Sequence, residues 1–243
     1  MAVHIQMIGT GSAFAKRYDN NNALIETGSR TLLLDCGITC PSALYRLGRH
    51  FGEIDAVLIS HIHGDHVGGL EEYAYQMKYV YKRKPVLYAP APLVAPLWEH
   101  TLKGGMESEE ADSLTHYFDV YPLEEGEESE LLPGLRVKPL RTRHVPGKIS
   151  FSYVINGTFF YSADMRFDPD LLERLDREGI RTIFHDCQLH PPGEVHAALP
   201  ELLTLPERLQ EKIWLMHYGD DKEAFEGRTG RMRFVEPHVR YPI

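Results

Sequence analysis

The sequence predicts an α/β (α+β) fold of the αββα sandwich type, two mixed β-sheets packed face to face and flanked by helices. Three observations lead there. Short apolar segments recur along the chain and alternate with helical stretches. Hairpin signals such as Asn156-Gly157 separate some of them, which a purely parallel doubly wound sheet would not contain. The 243 residues, 43% hydrophobic and 25% charged, suffice to bury a large core without disulfides or a structural metal. One domain spanning 1–243 is expected, and any metal site in it calls for a functional explanation.

The elements follow in order. Segment 3–8 is strand-like and ends at Gly9-Thr10-Gly11-Ser12. Segments 22–26 and 31–35 pair across the turn-rich 27–30, and 56–60 is a buried apolar strand. Segment 86–89 follows Lys84-Pro85, segments 151–155 and 158–162 flank Asn156-Gly157, and 182–185 and 212–216 are further buried strands. Helical stretches are expected at 41–50, 69–82, 92–103, 169–178 and 198–210. In the second of these, Leu70, Tyr73, Ala74, Met77 and Val80 fall along one face. The acidic run 124–130 lies between strand-like 117–123 and 134–140 and reads as a solvated hairpin loop.

Composition excludes several function classes. A net charge of -9 does not favour nonspecific nucleic-acid binding, which runs on clustered Lys and Arg. Three cysteines, Cys36, Cys40 and Cys187, are no disulfide framework. The opening MAVHIQMIGTGSAFAKRY lacks a basic start followed by a long apolar run, and no apolar stretch is long enough to span a membrane. A reduced, cytoplasmic protein is the expectation, with no membrane partner and no stable nucleic-acid binding.

The chemistry concentrates in Ser60-His61-Ile62-His63-Gly64-Asp65-His66, directly after the buried strand 56–60. His61, His63, Asp65 and His66 are all potential ligands. Imidazole suits zinc and its neighbours, and carboxylate adds a hard oxygen. Gly64 is expected to let the backbone turn tightly so that side chains on both sides converge. A loop at the end of a buried strand is where sites are usually placed.

The cluster resembles the H-x-H-x-D-H signature of the metallo-β-lactamase superfamily, and further landmarks match in order. Thr10-Gly11-Ser12 resembles the N-terminal turn of its RNase Z-like branch, and Leu33-Leu34-Asp35-Cys36-Gly37 its L-x-D-x-G. Tyr161-Ser162-Ala163-Asp164 resembles Y-S-G-D, and Trp214-Leu215-Met216-His217 the final strand with the last His ligand. His144 lies where the superfamily places its third His. The resemblance implies that His61, His63, His144 and Asp164 bind one metal and that Asp65, His66, His217 and Asp164 bind the other. The ions implied are two divalent cations per chain, Zn2+ or alternatively Mn2+. Two cations about 3.5–4 Å apart can share a carboxylate, activate water and stabilise both oxygens of a phosphoryl displacement. Asp65 thereby counts as a catalytic candidate as well as a ligand.

His196 points the site at phosphate. The RNase Z-like branch has a His at about this place that contacts the phosphate and helps protonate the leaving oxygen. His196 is accordingly a catalytic and substrate-binding candidate, acting as general acid. Only the His of that branch's H-S-T-like motif is present in Glu194-Val195-His196-Ala197-Ala198. The Glu that pairs with it in the branch is replaced by Tyr161, and Asp186 is the candidate substitute. His185 reads as neutral packing. Only 20 residues separate His144 from Asp164, which leaves no room for the tRNA-gripping arm of RNase Z.

The segments 7–16, 20–25, 68–72 and 217–221 resemble the anti-Pycsar phosphodiesterases of phages and some bacteria. That resemblance implies hydrolysis of 3′,5′-cyclic mononucleotides such as cCMP and cUMP, with cAMP and cGMP as further substrates, in a homodimer whose partner segment helps cover each site. Three alternatives stand beside it: an RNase Z-like tRNA 3′-endonuclease or other phosphodiesterase, a lactone or thioester hydrolase, and a metal-free binding scaffold. Glu72, Tyr73 and Gln76 could grip the nucleotide, and Tyr117 and Phe118 could stack on a base. Arg228–Arg233 could reach a phosphate or form a mobile tail. Asn20, Asn21 and Asn22 are expected to shape a loop, and Cys36 and Cys40 to pack beside the site.

Overall fold

The computed structural model describes residues 2–243. One seven-stranded sheet runs β14 (Arg240–Pro242), β1 (Val3–Gly9), β2 (Asn22–Thr27), β3 (Arg30–Leu34), β4 (Ala56–Leu58), β5 (Val86–Pro90), β6 (Asp119–Leu123). The other runs β13 (Arg233–Phe234), β12 (Ile213–Met216), β11 (Thr182–Asp186), β10 (Phe159–Tyr161), β9 (Ser150–Ile155), β8 (Leu135–Thr142), β7 (Ser129–Leu132). Both sheets are mixed. β14, β1, β2 and β3 pair antiparallel, then β3 to β6 parallel. β7 to β10 pair antiparallel, then β10 to β13 parallel.

The apolar pattern explains the four layers. Ala56 and Leu58 of β4 face the space between the sheets, whereas Val57 faces the helices outside, the period of two that a strand imposes. Ile5, Leu34 and Leu58 meet Phe151, Tyr153 and Phe184 between the sheets. Outside, Ala43, Leu44, Leu70 and Tyr73 cover the first sheet, while Leu172 and Leu175 cover Phe160 and Ile183 of the second. Each such fully buried side chain contributes about 1.5–3 kcal/mol. The Asn156-Gly157 hairpin forms as expected, both residues having positive φ (49° and 68°), as a tight I′ turn requires.

Four local expectations are corrected. The acidic run is not a hairpin loop, because β6 and β8 belong to different sheets; it crosses from one to the other and ends inside β7. The 69–82 stretch divides at Tyr75, where a π-helical turn covers Gln76–Val80. The wider turn rotates Val80 outward, to 65% exposure, while Met77 stays buried. The 198–210 stretch is two single turns, Leu199–Leu202 and Glu207–Gln210, with Pro206 between them. Residues 228–233 are not a tail: Met232 is buried, and Arg233 enters β13.

The site lies where β3, β4, β8, β10, β11 and β12 end. Asp35, Ser60-His61, His144, Asp164, Asp186 and His217 all follow or close these strands. Loops leaving the carboxyl ends of strands can place many different side chains on one rim without disturbing the core.

Candidate metal centre

Each ligand candidate is held by its own piece of fold. His61 is bridged to Ser150 at the start of β9, and the Phe151 amide donates to the Ser60 carbonyl at 3.1 Å, so the histidine loop is stitched to the second sheet. His63 precedes a single helical turn, Gly64–Val67, which carries Asp65 and His66. Ala163 (φ 48°) turns the chain sharply before Asp164, and His217 (φ 60°) and Asp35 (φ 59°) are likewise left-handed. Such residues carry about 1–3 kcal/mol of strain each and cluster where geometry serves function.

The seven predicted ligands converge into two sets that share Asp164. In the first, Nε2 of His61 and Nε2 of His144 lie 3.1 and 3.3 Å from Nδ1 of His63. They lie 3.6 and 3.8 Å from Oδ2 of Asp164. In the second, Oδ2 of Asp65 is 3.3 Å from Nε2 of both His66 and His217. Asp164 approaches His66 at 3.2 Å through Oδ1 and His217 at 3.4 Å through Oδ2. A tetrahedron of ligands about 2.0–2.1 Å from an ion has edges of about 3.4 Å. Both sets have that size, and all the donors but His63 are at most 8% exposed.

The donors fit cations better than they fit each other. His66 Nε2 and Asp164 Oδ1 are buried and lack a hydrogen-bond partner among the described residues. An unpartnered buried polar atom is rare and calls for an explanation such as an ion. Burial pushes the His61, His63 and His144 rings below their usual pKa, so they offer lone pairs. Burial opposes charge on Asp164, but the His217 and His66 imidazoles outweigh it and hold its carboxyl well below the usual range. Burial also works against a proton on His217, yet Asp164 and Asp186 raise it to about 10. The buried carboxylates thus favour positive charge, which divalent metal would supply with release of those protons.

Two carboxylates outside these two donor sets stand against the rings; one of them, Asp186, also groups with Asp164, His196 and His217 within ligand distance. Asp35 Oδ2 lies 2.8 Å from His66 Nδ1, turning Nε2 into the site, and it also accepts the Ser60 hydroxyl at 2.6 Å. The place of Asp35 after a buried strand, within the L-x-D-x-G resemblance, is the signal in the sequence for this role. Asp186 Oδ2 lies 2.7 Å from His196 Nδ1, and its Oδ1 lies 3.3 Å from His217 Nδ1. Asp186 thus takes the partner position that Tyr161 cannot, since the Tyr161 hydroxyl is fully buried and accepts from Asn21 at 2.9 Å. Burial works against a charged His196, but Asp186 outweighs it and raises the pKa. His196 keeps 21% side-chain exposure and stacks beside His217, with ring centroids 4.8 Å apart.

Other candidates fall elsewhere. Tyr73 and Phe118 are fully buried and Tyr117 nearly so, which removes them as nucleotide contacts. Glu72 and Gln76 line a separate cavity beside Tyr45 and Arg49. Asn22 joins two loops, accepting from the Gly37 amide and donating to the Asp65 carbonyl. Asn20 is tied to Thr39, so the Asn run does shape the loop. Cys36 is buried, and its amide donates to the His66 carbonyl at 2.7 Å. His185 is buried with a lowered pKa, as neutral packing requires. The tight approach is not at Gly64, where a Cβ would meet only Ile38 at 3.5 Å, but at Gly37, where it would overlap the Asp65 carbonyl, and at Gly68 and Gly69, where it would meet the Gly64 and Gly37 carbonyls.

The chain is similar to known proteins along almost its whole length. A family described as "Anti-Pycsar protein Apyc1" matches residues 3–241. An anti-Pycsar protein Apyc1 from Paenibacillus harenae is 61% identical over 99% of this chain and 100% of its own length. One from Bacillus phage vB_BsuM-Goe3 is 41% identical over 96% of this chain and 95% of its own. Among solved structures, a diphosphatase of the PhnP family superposes with a TM-score of 0.79 at 18% identity, covering 99% of this chain and 98% of that one, a likeness of fold alone. With a family model matching almost the whole chain and full-length identity this high, the chain belongs to the anti-Pycsar Apyc1 family.

Proposed function

We propose that this protein is a metal-dependent phosphodiesterase that hydrolyses 3′,5′-cyclic mononucleotides, cCMP and cUMP and also cAMP and cGMP, to nucleoside monophosphates. By doing so it counteracts cyclic-pyrimidine (Pycsar) antiphage signalling. The observation that carries the reading is His196, fixed by Asp186 through Nδ1 at the edge of two donor sets that share Asp164.

His61, His63, His144 and Asp164 would hold one cation, and Asp65, His66, His217 and Asp164 the other, with Zn2+ suiting the nitrogen-rich donors. When bound, such a pair supplies positive charge against the phosphate and lowers the pKa of attacking water. Asp164 keeps the two sites together, and the buried Asp65 carboxylate borders the position of attack. Asp186 holds His196 at Nδ1, which leaves Nε2 to carry the proton to the departing ribose oxygen. The Asp186 carboxylate raises the His196 pKa against the effect of burial, which favours that proton on the ring.

Residues 1–243 act in this proposal as one metallo-β-lactamase-like domain, in a cytoplasmic homodimer, as the family resemblance implies. Among the described residues no helix is long and apolar enough to cross a membrane.

The test is to incubate zinc-reconstituted protein with cCMP, cUMP, cAMP, cGMP, precursor tRNA and a homoserine lactone. Nucleoside monophosphates should form, and His196→Ala should slow their formation about 10²–10⁴-fold with metal content intact. Turnover of the lactone alone, or an unimpaired His196→Ala, would overturn the reading.

A further inference from the structure

We propose that Phe14 is the platform on which the nucleotide's base stacks, so that substrate is held by its base as well as by its phosphate. The proposal rests on the cyclic-nucleotide reading above and assigns a residue which that reading leaves without a role.

Phe14 is 88% exposed, the most exposed large apolar side chain among the described residues. It therefore forgoes the burial a phenyl ring ordinarily gains. A floppy surface loop would make that unremarkable, but this loop is pinned on both sides of Phe14. Before it, the Ser12 amide donates to the Tyr218 carbonyl at 3.0 Å. After it, the Asp220 carboxylate accepts from the Lys16 and Arg17 amides at 2.9 and 2.8 Å. Glu223 then pairs with Arg17 at 3.0 Å and accepts the Tyr18 hydroxyl at 2.6 Å. The Tyr18 ring packs edge-on against Tyr218, centroids 5.0 Å apart.

The ring so presented lines a cavity of about 330 Å3 whose other wall contains His196 and His217. That volume suits a small ligand. The cavity thus carries both His196 and His217, one member of the second donor set, and the exposed Phe14 ring. A nucleotide has the matching ends, an anionic phosphate and a flat π-face. A preset aromatic platform costs little ordering on binding, and stacking on it needs no hydrogen bond to the base edge.

The experiment compares two probes on the zinc-loaded protein by calorimetry: CMP, which has phosphate and base, and ribose 5-phosphate, which lacks the base. The wild type should bind CMP more tightly. Phe14→Ala should shrink that preference about tenfold, the usual worth of one base–aromatic stack, and Phe14→Tyr should retain it. Three results would overturn the proposal: no preference in the wild type, the same preference in Phe14→Ala, or an equal loss for both probes. A change of oligomeric state in Phe14→Ala would overturn it too, since the ring would then be an interface residue. Turnover of cCMP, measured in parallel, separates the two readings. If Phe14→Ala loses the CMP preference while the wild type hydrolyses no cyclic nucleotide, the platform stands and the phosphodiesterase falls; the reverse pattern removes only the platform.

Discussion

The Asp186 carboxylate serves two imidazoles at once, with Oδ2 2.7 Å from His196 Nδ1 and Oδ1 3.3 Å from His217 Nδ1. One fully buried acid at the end of β11 thereby fixes the proposed proton donor by a hydrogen bond and lies close to a proposed ligand of the second cation. This explains how the site manages without the acidic residue that precedes the bridging Asp in RNase Z-like proteins.

Asp186→Asn should lower kcat on cCMP about 10–100-fold, the usual effect of removing a carboxylate that orients an active-site His. Combined with His196→Ala it should add little, because the two act as one unit. Steady-state kinetics at saturating zinc, with metal content measured alongside, checks this. Additive losses would show that Asp186 acts mainly through His217.

Asp35→Asn should weaken one cation selectively. Asp35 bonds His66 of the second donor set directly, whereas it reaches His61 of the first only through the Ser60 hydroxyl, 3.1 Å from His61 Nδ1. A 10–100-fold loss of affinity is expected for that ion. Elemental analysis at limiting zinc should find close to one ion per chain, against two in the wild type. Loss of both ions together would contradict the assignment.

Gly37→Ala should destabilise the fold and loosen the metal loop together. The added Cβ overlaps the Asp65 carbonyl, a backbone atom that cannot move without displacing Asp65. Overpacking of this kind costs about 1–3 kcal/mol. Gly104→Ala is the control, since a Cβ there meets nothing within 4 Å. Thermal melts and zinc titrations of both variants give the comparison, and equal behaviour would refute the close-approach argument.

Chelation should abolish turnover and lower the melting temperature, and zinc should restore both. A ligand present at about a thousandfold over its Kd stabilises by about 4 kcal/mol. Full activity after exhaustive chelation, confirmed by elemental analysis, would rule out a metal-dependent mechanism.

The layered fold was legible because strand and helix periodicities are local. The alternation in β4, the Asn156-Gly157 hairpin and the His61–His66 cluster each show themselves within a few residues. Errors arose where the deciding partner was distant. The acidic run read as a hairpin because its flanking strands are neighbours in sequence, although they pair in different sheets. Tyr117 and Phe118 suit base stacking as aromatic residues, yet both rings pack in the core beneath the helices.

By itself the sequence determined the donor inventory, since a carboxylate and three imidazoles in six residues have few uses besides a cation. It also set the family and the general architecture. The tertiary structure decided which acids stand against the rings, that the tight approach is at Gly37, Gly68 and Gly69 rather than Gly64, and that Phe14 stands unburied beside His196. The physical reason is separation: the loop that presents Phe14 is pinned where Lys16 meets Asp220, across 204 residues of chain. No local pattern encodes such a contact; it exists only once two sheets have packed and brought their strand ends to a common rim.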